Sequence, residues 1–164
     1  MMKFSFDDKQ IKRIKGHASE ITKRLDMKVK FEGNELIIDG KPFEEWIGKD
    51  VITALSLGFE SFESFGLIDE TKLFKMVNLE DYVESKSLKR IKSRIIGKNG
   101  KAKKNIEEMT EVKICIYENT IGVIGDIENV NLAFDAIMKI VSGSTHSAVY
   151  QSIQRRIRSM KEKV

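Results

Sequence analysis

Cysteine, proline and tryptophan each occur once in the 164 residues, and histidine twice. A lone cysteine, Cys115, cannot close an internal disulfide and has no partner for a CxxC metal site. It lies in the apolar run Val112 to Ile116, which suits a small buried hydrophobe better than a reactive thiol. His17 and His146 are far apart and lack the spaced companion that a zinc site or a two-histidine catalytic site requires. No apolar run approaches the roughly 20 residues that span a bilayer. Met1 to Asp8 is polar and aromatic, unlike a signal peptide, so a cytoplasmic protein with no membrane partner is expected. No metal and no cofactor are expected either.

The residues present describe an ordinary globular chain: 41% are hydrophobic, 33% are charged, and the net charge is +4. That hydrophobic fraction suffices for one large domain or two small ones. The charge is unevenly placed. Nine basic residues and no acidic one lie between Lys86 and Lys104, and a second cluster, Arg155, Arg156, Arg158, Lys161 and Lys163, closes the chain. Acidic residues gather between Glu60 and Glu84. A charge run can be a solvated face, or it can be the footprint of a polyanion.

Hydrophobic periodicity predicts a strand at Met2 to Phe6, a helix over 9–25, and a hairpin of Met27 to Phe31 with Glu35 to Asp39. A helix over 44–58 follows, stopped by Gly58, and then a further helical turn over 59–66. A similar order recurs. It has a strand at 73–79, helices at 87–96 and 101–109, strands at 112–116 and 120–124, and helices at 128–142 and 147–161. Ile11 to Gly58 overlays Ile96 to Gly143 at a constant offset of 85 without a gap. Ile21 meets Ile106, Val29 meets Ile114, Leu36 meets Ile121 and Gly40 meets Gly125. The shared register of apolar positions and glycines predicts two copies of one α+β unit, each preceded by a strand.

The segment Ile95 to Ile116, IIGKNGKAKKNIEEMTEVKICI, carries the functional reading. An apolar pair enters a GxxG turn and a basic helix leaves it. Gly97 and Gly100 allow a tight turn and close approach of a phosphate. Backbone N–H groups and the positive end of the helix dipole favour an anion there. Lys98, Lys101 and Lys104 add charge, and Ile96 offers an apolar floor for bases. A single strand would then lay its phosphates over the turn and its bases along the Val112 to Ile116 strand. The candidate RNA-binding residues are Ile96, Gly97, Lys98, Asn99, Gly100, Lys101 and Lys104, with Arg94 and Lys113.

This segment resembles the type I K-homology (KH) domain over about Leu73 to Gly143. The resemblance implies the order β-α-α-β-β-α and four nucleotides held in the groove. The matching turn of the first half, Lys12-Arg13-Ile14-Lys15, lacks both glycines. The expected organisation is two tandem type I KH-like domains: a degenerate one at 1–70, a GxxG-bearing one at 71–146, and a basic helix at 147–164 packed on or extending the second. The first domain is expected to pack against the second or to contact a protein. With NLEDYV (Asn78 to Val83) ahead of KSLKRIKSRIIGKNG and a Thr145 to Tyr150 tail, the whole chain is similar to the archaeal relatives of the eukaryotic KH protein partner of Nob one. That family implies ribosome biogenesis and binding near the 3′ end of small-subunit ribosomal RNA. Its implied partners are a maturation nuclease, an rRNA dimethyltransferase or the alpha subunit of an initiation factor. The tail departs from the family pattern at Ser147, where glycine is expected.

Other readings stay open. Glu107 and Glu108 are the carboxylates nearest the turn, but neither has an acid/base or metal-binding companion in sequence, so no catalysis is expected. A protein scaffold with incidental RNA binding is the alternative. Phe59, Phe62 and Phe65, spaced by three, form either a docking face or a helix face tucked between the domains. Trp46 is expected in the core or at a domain interface. Tyr150 and the final helix either extend the RNA path or simply pack with their charges in water.

Overall fold

The computed structural model describes residues 1–163, so Val164, the end of the predicted 147–164 segment, lies outside the described residues. The chain divides into two compact units, Met1–Glu70 and Thr71 onward. Both have mixed α+β architecture and follow the order β-α-α-β-β-α.

The first unit contains β1 (Met2–Ser5), α1 (Asp8–Lys15), α2 (Ala18–Leu25), β2 (Lys28–Glu32), β3 (Glu35–Asp39), α3 (Pro42–Leu57) and α4 (Ser61–Phe65). Its antiparallel sheet has the order β1-β3-β2. Asp7 and Gln10 cap α1 reciprocally: the Asp7 carboxylate accepts the Gln10 amide at 2.8 Å, and the Gln10 side chain accepts the Asp7 amide at 3.1 Å. Pro42 opens α3, where a missing N–H costs nothing, and Gly58 closes it at φ 106°. Ile14, Ile21, Leu36, Ile38 and Ile52 are fully buried between helices and sheet.

Three expectations for this unit need correction. The helix expected over 9–25 is two helices, broken at Gly16 and His17. Trp46 is 62% exposed rather than in the core. Phe59 and Phe65 are buried while Phe62 is 87% exposed, so the three-residue recurrence is not one face.

The second unit contains β4 (Lys72–Asn78), α5 (Leu88–Ile96), α6 (Lys101–Thr110), β5 (Lys113–Tyr117), β6 (Thr120–Asp126), α7 (Ile127–Val141) and α8 (His146–Glu162). Its sheet has the order β4-β6-β5, again antiparallel, which leaves β5 as an edge strand. Alternation along the strands sends Val77, Ile121, Val123 and Ile114 to the helices, where Ile91, Ile95 and Ile106 meet them. Each such residue stabilises the unit by about 1.5–3 kcal/mol through burial.

The 85-residue repeat is visible in the backbone. Asp26 and Glu111 close α2 and α6 in left-handed conformations, Gly33 and Glu118 turn the two hairpins at positive φ, and Gly58 and Gly143 stop α3 and α7 at φ 106° and 102°. The leading strands keep a different spacing. Phe4 pairs with Leu36 and Val77 with Ile121, so they repeat at 73, and the remaining twelve residues are inserted between β4 and α5.

Candidate nucleic-acid interface

The GxxG segment is a tight turn joining α5 to α6. Gly97 sits at φ 78°, ψ 171°, a conformation that side-chain-bearing residues avoid. Asn99 (φ 55°) and Gly100 (φ 74°) are left-handed. The Gly100 amide donates to the Gly97 carbonyl at 3.1 Å and the Lys101 amide donates to Lys98, so two of the amides expected to face a phosphate are spent inside the turn.

The two glycines have different roles. A Cβ at Gly97 would lie 2.6 Å from both the Cβ and the backbone nitrogen of Ala102. Gly97 is therefore required by packing of the turn on the first residues of α6. A Cβ at Gly100 would meet nothing within 4 Å. Gly100 is the glycine that leaves an open approach to the backbone.

The basic run is sorted by its partners. Lys92 donates to the Glu118 carbonyl at 2.9 Å, Lys103 pairs with Glu107 at 3.2 Å, and Lys104 reaches Glu108 only at 3.9 Å. Lys98 and Lys101 are exposed and make no ion pair within 4.0 Å among the described residues, which leaves two unneutralised cations beside Gly100. Ile96 is half-buried at the end of α5, with Ile95 and Ile106 fully buried beneath.

Two of the candidate residues are placed elsewhere. Arg94 donates to the carbonyls of Ile140 at 3.0 Å and Ser144 at 2.6 Å, so its guanidinium ties α5 to the end of α7 instead of facing solvent at the turn. Lys113 is exposed at the start of β5, but the strand alternation that buries Ile114 against the helices points Lys113 to the opposite sheet face. Sequence reasoning missed the role of Glu107. Its Oε2 accepts the Ile114 amide at 3.0 Å, bridging α6 to the open edge of β5. A carboxylate bonded to both Lys103 and a backbone amide is a structural strut. Among the described residues no group of three or more His, Cys, Asp or Glu side chains is placed to hold a metal.

The first unit has no counterpart to the turn. Lys12 to Lys15 is the last part of α1, with Ile14 fully buried and Arg13 donating to the Ser56 carbonyl at 3.0 Å. The connection to α2 comes later, at Gly16 and His17, and no glycine at positive φ opens it.

Residues 73–158 match the family model for the second KH domain of PNO1 proteins, described as the eukaryotic type KH-domain (KH-domain type I). A KH domain-containing protein of Methanocaldococcus jannaschii is 30% identical over 121 residues, covering 73% of this chain and 53% of its own length. The pre-rRNA-processing protein pno1 of Aspergillus oryzae is 28% identical, covering 71% of this chain and 46% of its own length. The chain thus spans about half the length of these curated relatives. A crystal structure of an a/eIF2alpha–aDim2p–rRNA complex from Pyrococcus horikoshii contains a chain that superimposes with a TM-score of 0.85 at 28% identity, covering 96% of this chain and 94% of that one. With the family model spanning more than half of its residues and the fold agreeing throughout, the chain belongs to the type I KH-domain family, among the archaeal and eukaryotic PNO1 and Dim2 proteins.

Proposed function

We propose that this chain binds single-stranded RNA in the cleft between the Gly97–Gly100 turn and β5, near the 3′ end of small-subunit ribosomal RNA during ribosome assembly. The observation that carries the reading is the pairing of an unobstructed backbone at Gly100 with the two unneutralised cations Lys98 and Lys101. Phosphates would lie over the turn, with bases against Ile96 and the open edge of β5. The name of the Aspergillus relative, a pre-rRNA-processing protein, and the rRNA in the Pyrococcus complex support the choice of RNA. The a/eIF2alpha subunit of that complex supports an initiation factor alpha subunit as a protein partner. A maturation nuclease and an rRNA dimethyltransferase are further partners of the same setting. The chain acts by binding, with no chemistry of its own.

Fluorescence anisotropy tests this reading. A labelled strand copying the rRNA 3′ end is compared with a scrambled strand, using wild type and Lys98→Asp/Asn99→Asp. Preference for the ribosomal strand, lost in the variant, is the expected result. Unchanged affinity in a folded variant would remove the cleft assignment. A protein-scaffold role is favoured at a different place, by Phe43 and Trp46, which stand 58% and 62% exposed one turn apart on α3.

A further inference from the structure

The final helix, α8, has a definite place in the second unit. At its start the His146 Nε2–H donates to the Arg94 carbonyl at 2.7 Å, three residues before the GxxG turn. One turn on, the Tyr150 hydroxyl lies 3.4 Å from the Asn105 amide of α6, and the Tyr150 ring stacks on His146. The helix then runs antiparallel to α7, with Lys139 bonded to Ser152 and Asp135 paired with Arg156 at 2.6 Å. Val149 and Ile153 are buried in the core. The helix therefore begins beside the turn and leads away from it over 17 residues, roughly 25 Å.

Its outward face is cationic. Arg155, Arg158 and Lys161 are exposed, follow one another at three-residue spacing, and form no ion pair within 4.0 Å among the described residues. Arg156, one position round the helix, is already neutralised by Asp135. Asn105, the α6 residue that touches Tyr150, lies one turn beyond Lys101, so this unpaired cation of α6 shares a flank with the start of α8. Unneutralised cations thus occur both at the turn and along the helix that departs from it. A flexible polyanion longer than the turn matches that distribution better than a compact acidic protein surface does.

We propose that Arg155, Arg158 and Lys161 form a second phosphodiester-binding site, which takes nucleotides flanking those held at the Gly97–Gly100 turn. The inference rests on the RNA reading above and extends it from a four-nucleotide groove to a longer path. It makes affinity depend on strand length and predicts contacts indifferent to base identity.

The test uses the full chain carrying Arg155→Ala/Arg158→Ala/Lys161→Ala, with Lys98→Asp/Asn99→Asp as a parallel variant and circular dichroism to verify folding. Each binds a strand of about five nucleotides, just over what a KH groove clamps, and one of about fifteen. The triple variant is expected to bind the short strand like wild type and the long strand about ten-fold more weakly. Its log–log salt slope on the long strand should shrink by up to about 2, since each phosphate contact contributes about 0.7. Equal affinity of variant and wild type for the long strand overturns the proposal, as does an equal loss on both strands. A groove variant that binds the short strand normally, beside a triple variant that weakens the long one, would refute the groove and support the α8 site.

Discussion

A Cβ placed on Gly97 would stand 2.6 Å from the Cβ of Ala102, whereas one placed on Gly100, three residues later in the same turn, would stand in open space. The two glycines of one motif therefore differ in what they protect. Gly97→Ala combines that collision with a backbone conformation at φ 78°, ψ 171° that alanine avoids. It should destabilise the second unit by about 3 kcal/mol or more. Gly100→Ala meets only left-handed strain of about 1–2 kcal/mol, so the unit stays folded. Its added methyl, however, lies where a phosphate would approach. Urea unfolding should separate the two variants, and RNA titration of folded Gly100→Ala should show weakened binding. A Gly97→Ala protein as stable as wild type would contradict the packing role.

Arg94 belongs to the basic run by sequence and to the scaffold by geometry. Its guanidinium donates to the Ile140 and Ser144 carbonyls, at the end of α7 and just past it. Arg94→Ala should cost about 2 kcal/mol in chemical denaturation, as charge-assisted hydrogen bonds to these carbonyls are lost. RNA affinity of the folded fraction should match wild type. A variant of normal stability with weakened RNA binding would return Arg94 to the interface.

The architecture was readable because apolar spacing and turn residues fix the elements locally. The hairpin strand Glu35–Asp39 falls where the alternation puts it, and the positive-φ positions Asp26 and Glu111, Gly33 and Glu118, and Gly58 and Gly143 repeat at the offset found in the sequence. What escaped the sequence depends on side chains meeting across the fold. Arg94 and Lys98 look alike in a basic run, and only the position of the α7 end separates a clamp from a free cation. Glu107 looks like a solvated helix residue until β5 brings the Ile114 amide to it. The missing turn of the first unit was mistaken for an altered one, because alignment cannot show that α1 continues through Lys12 to Lys15 with Ile14 as a core residue.

Glu45 gives the first unit an acid-sensitive contact. The bond from the Met1 amino group at 2.7 Å, followed by the Gly40 amide at 3.0 Å, holds its carboxyl below the usual glutamate range. A carboxyl lowered in the folded state binds fewer protons there than in the unfolded chain. It therefore adds stability above its unfolded pKa of about 4.3 and loses that stability as pH falls through the lowered folded value. Wild type should be more stable than Glu45→Gln at neutral pH, and the two should converge as the pH is lowered past about 4. Thermal melts across that range provide the measurement, and a constant difference between the two proteins at every pH would remove the carboxylate as the cause.

Glu111 ends α6 at φ 56°, ψ 45°, its amide donating to the Glu107 carbonyl, in a conformation that costs a side-chain-bearing residue about 1–2 kcal/mol. The equivalent C-terminal stops of α3 and α7 use Gly58 and Gly143 for the same handedness. Glu111→Gly relieves the strain, while the extra backbone freedom of glycine in the unfolded chain offsets roughly 0.5–1 kcal/mol of the gain. The net expectation is a stabilisation of about 0.5–1 kcal/mol, which should raise the melting temperature by a few degrees. Glu111 is exposed and sits at the end of α6 opposite the Gly97–Gly100 turn, so RNA affinity should not move. A melting temperature below that of wild type would mean that the glutamate side chain makes a stabilising contact that outweighs its backbone strain.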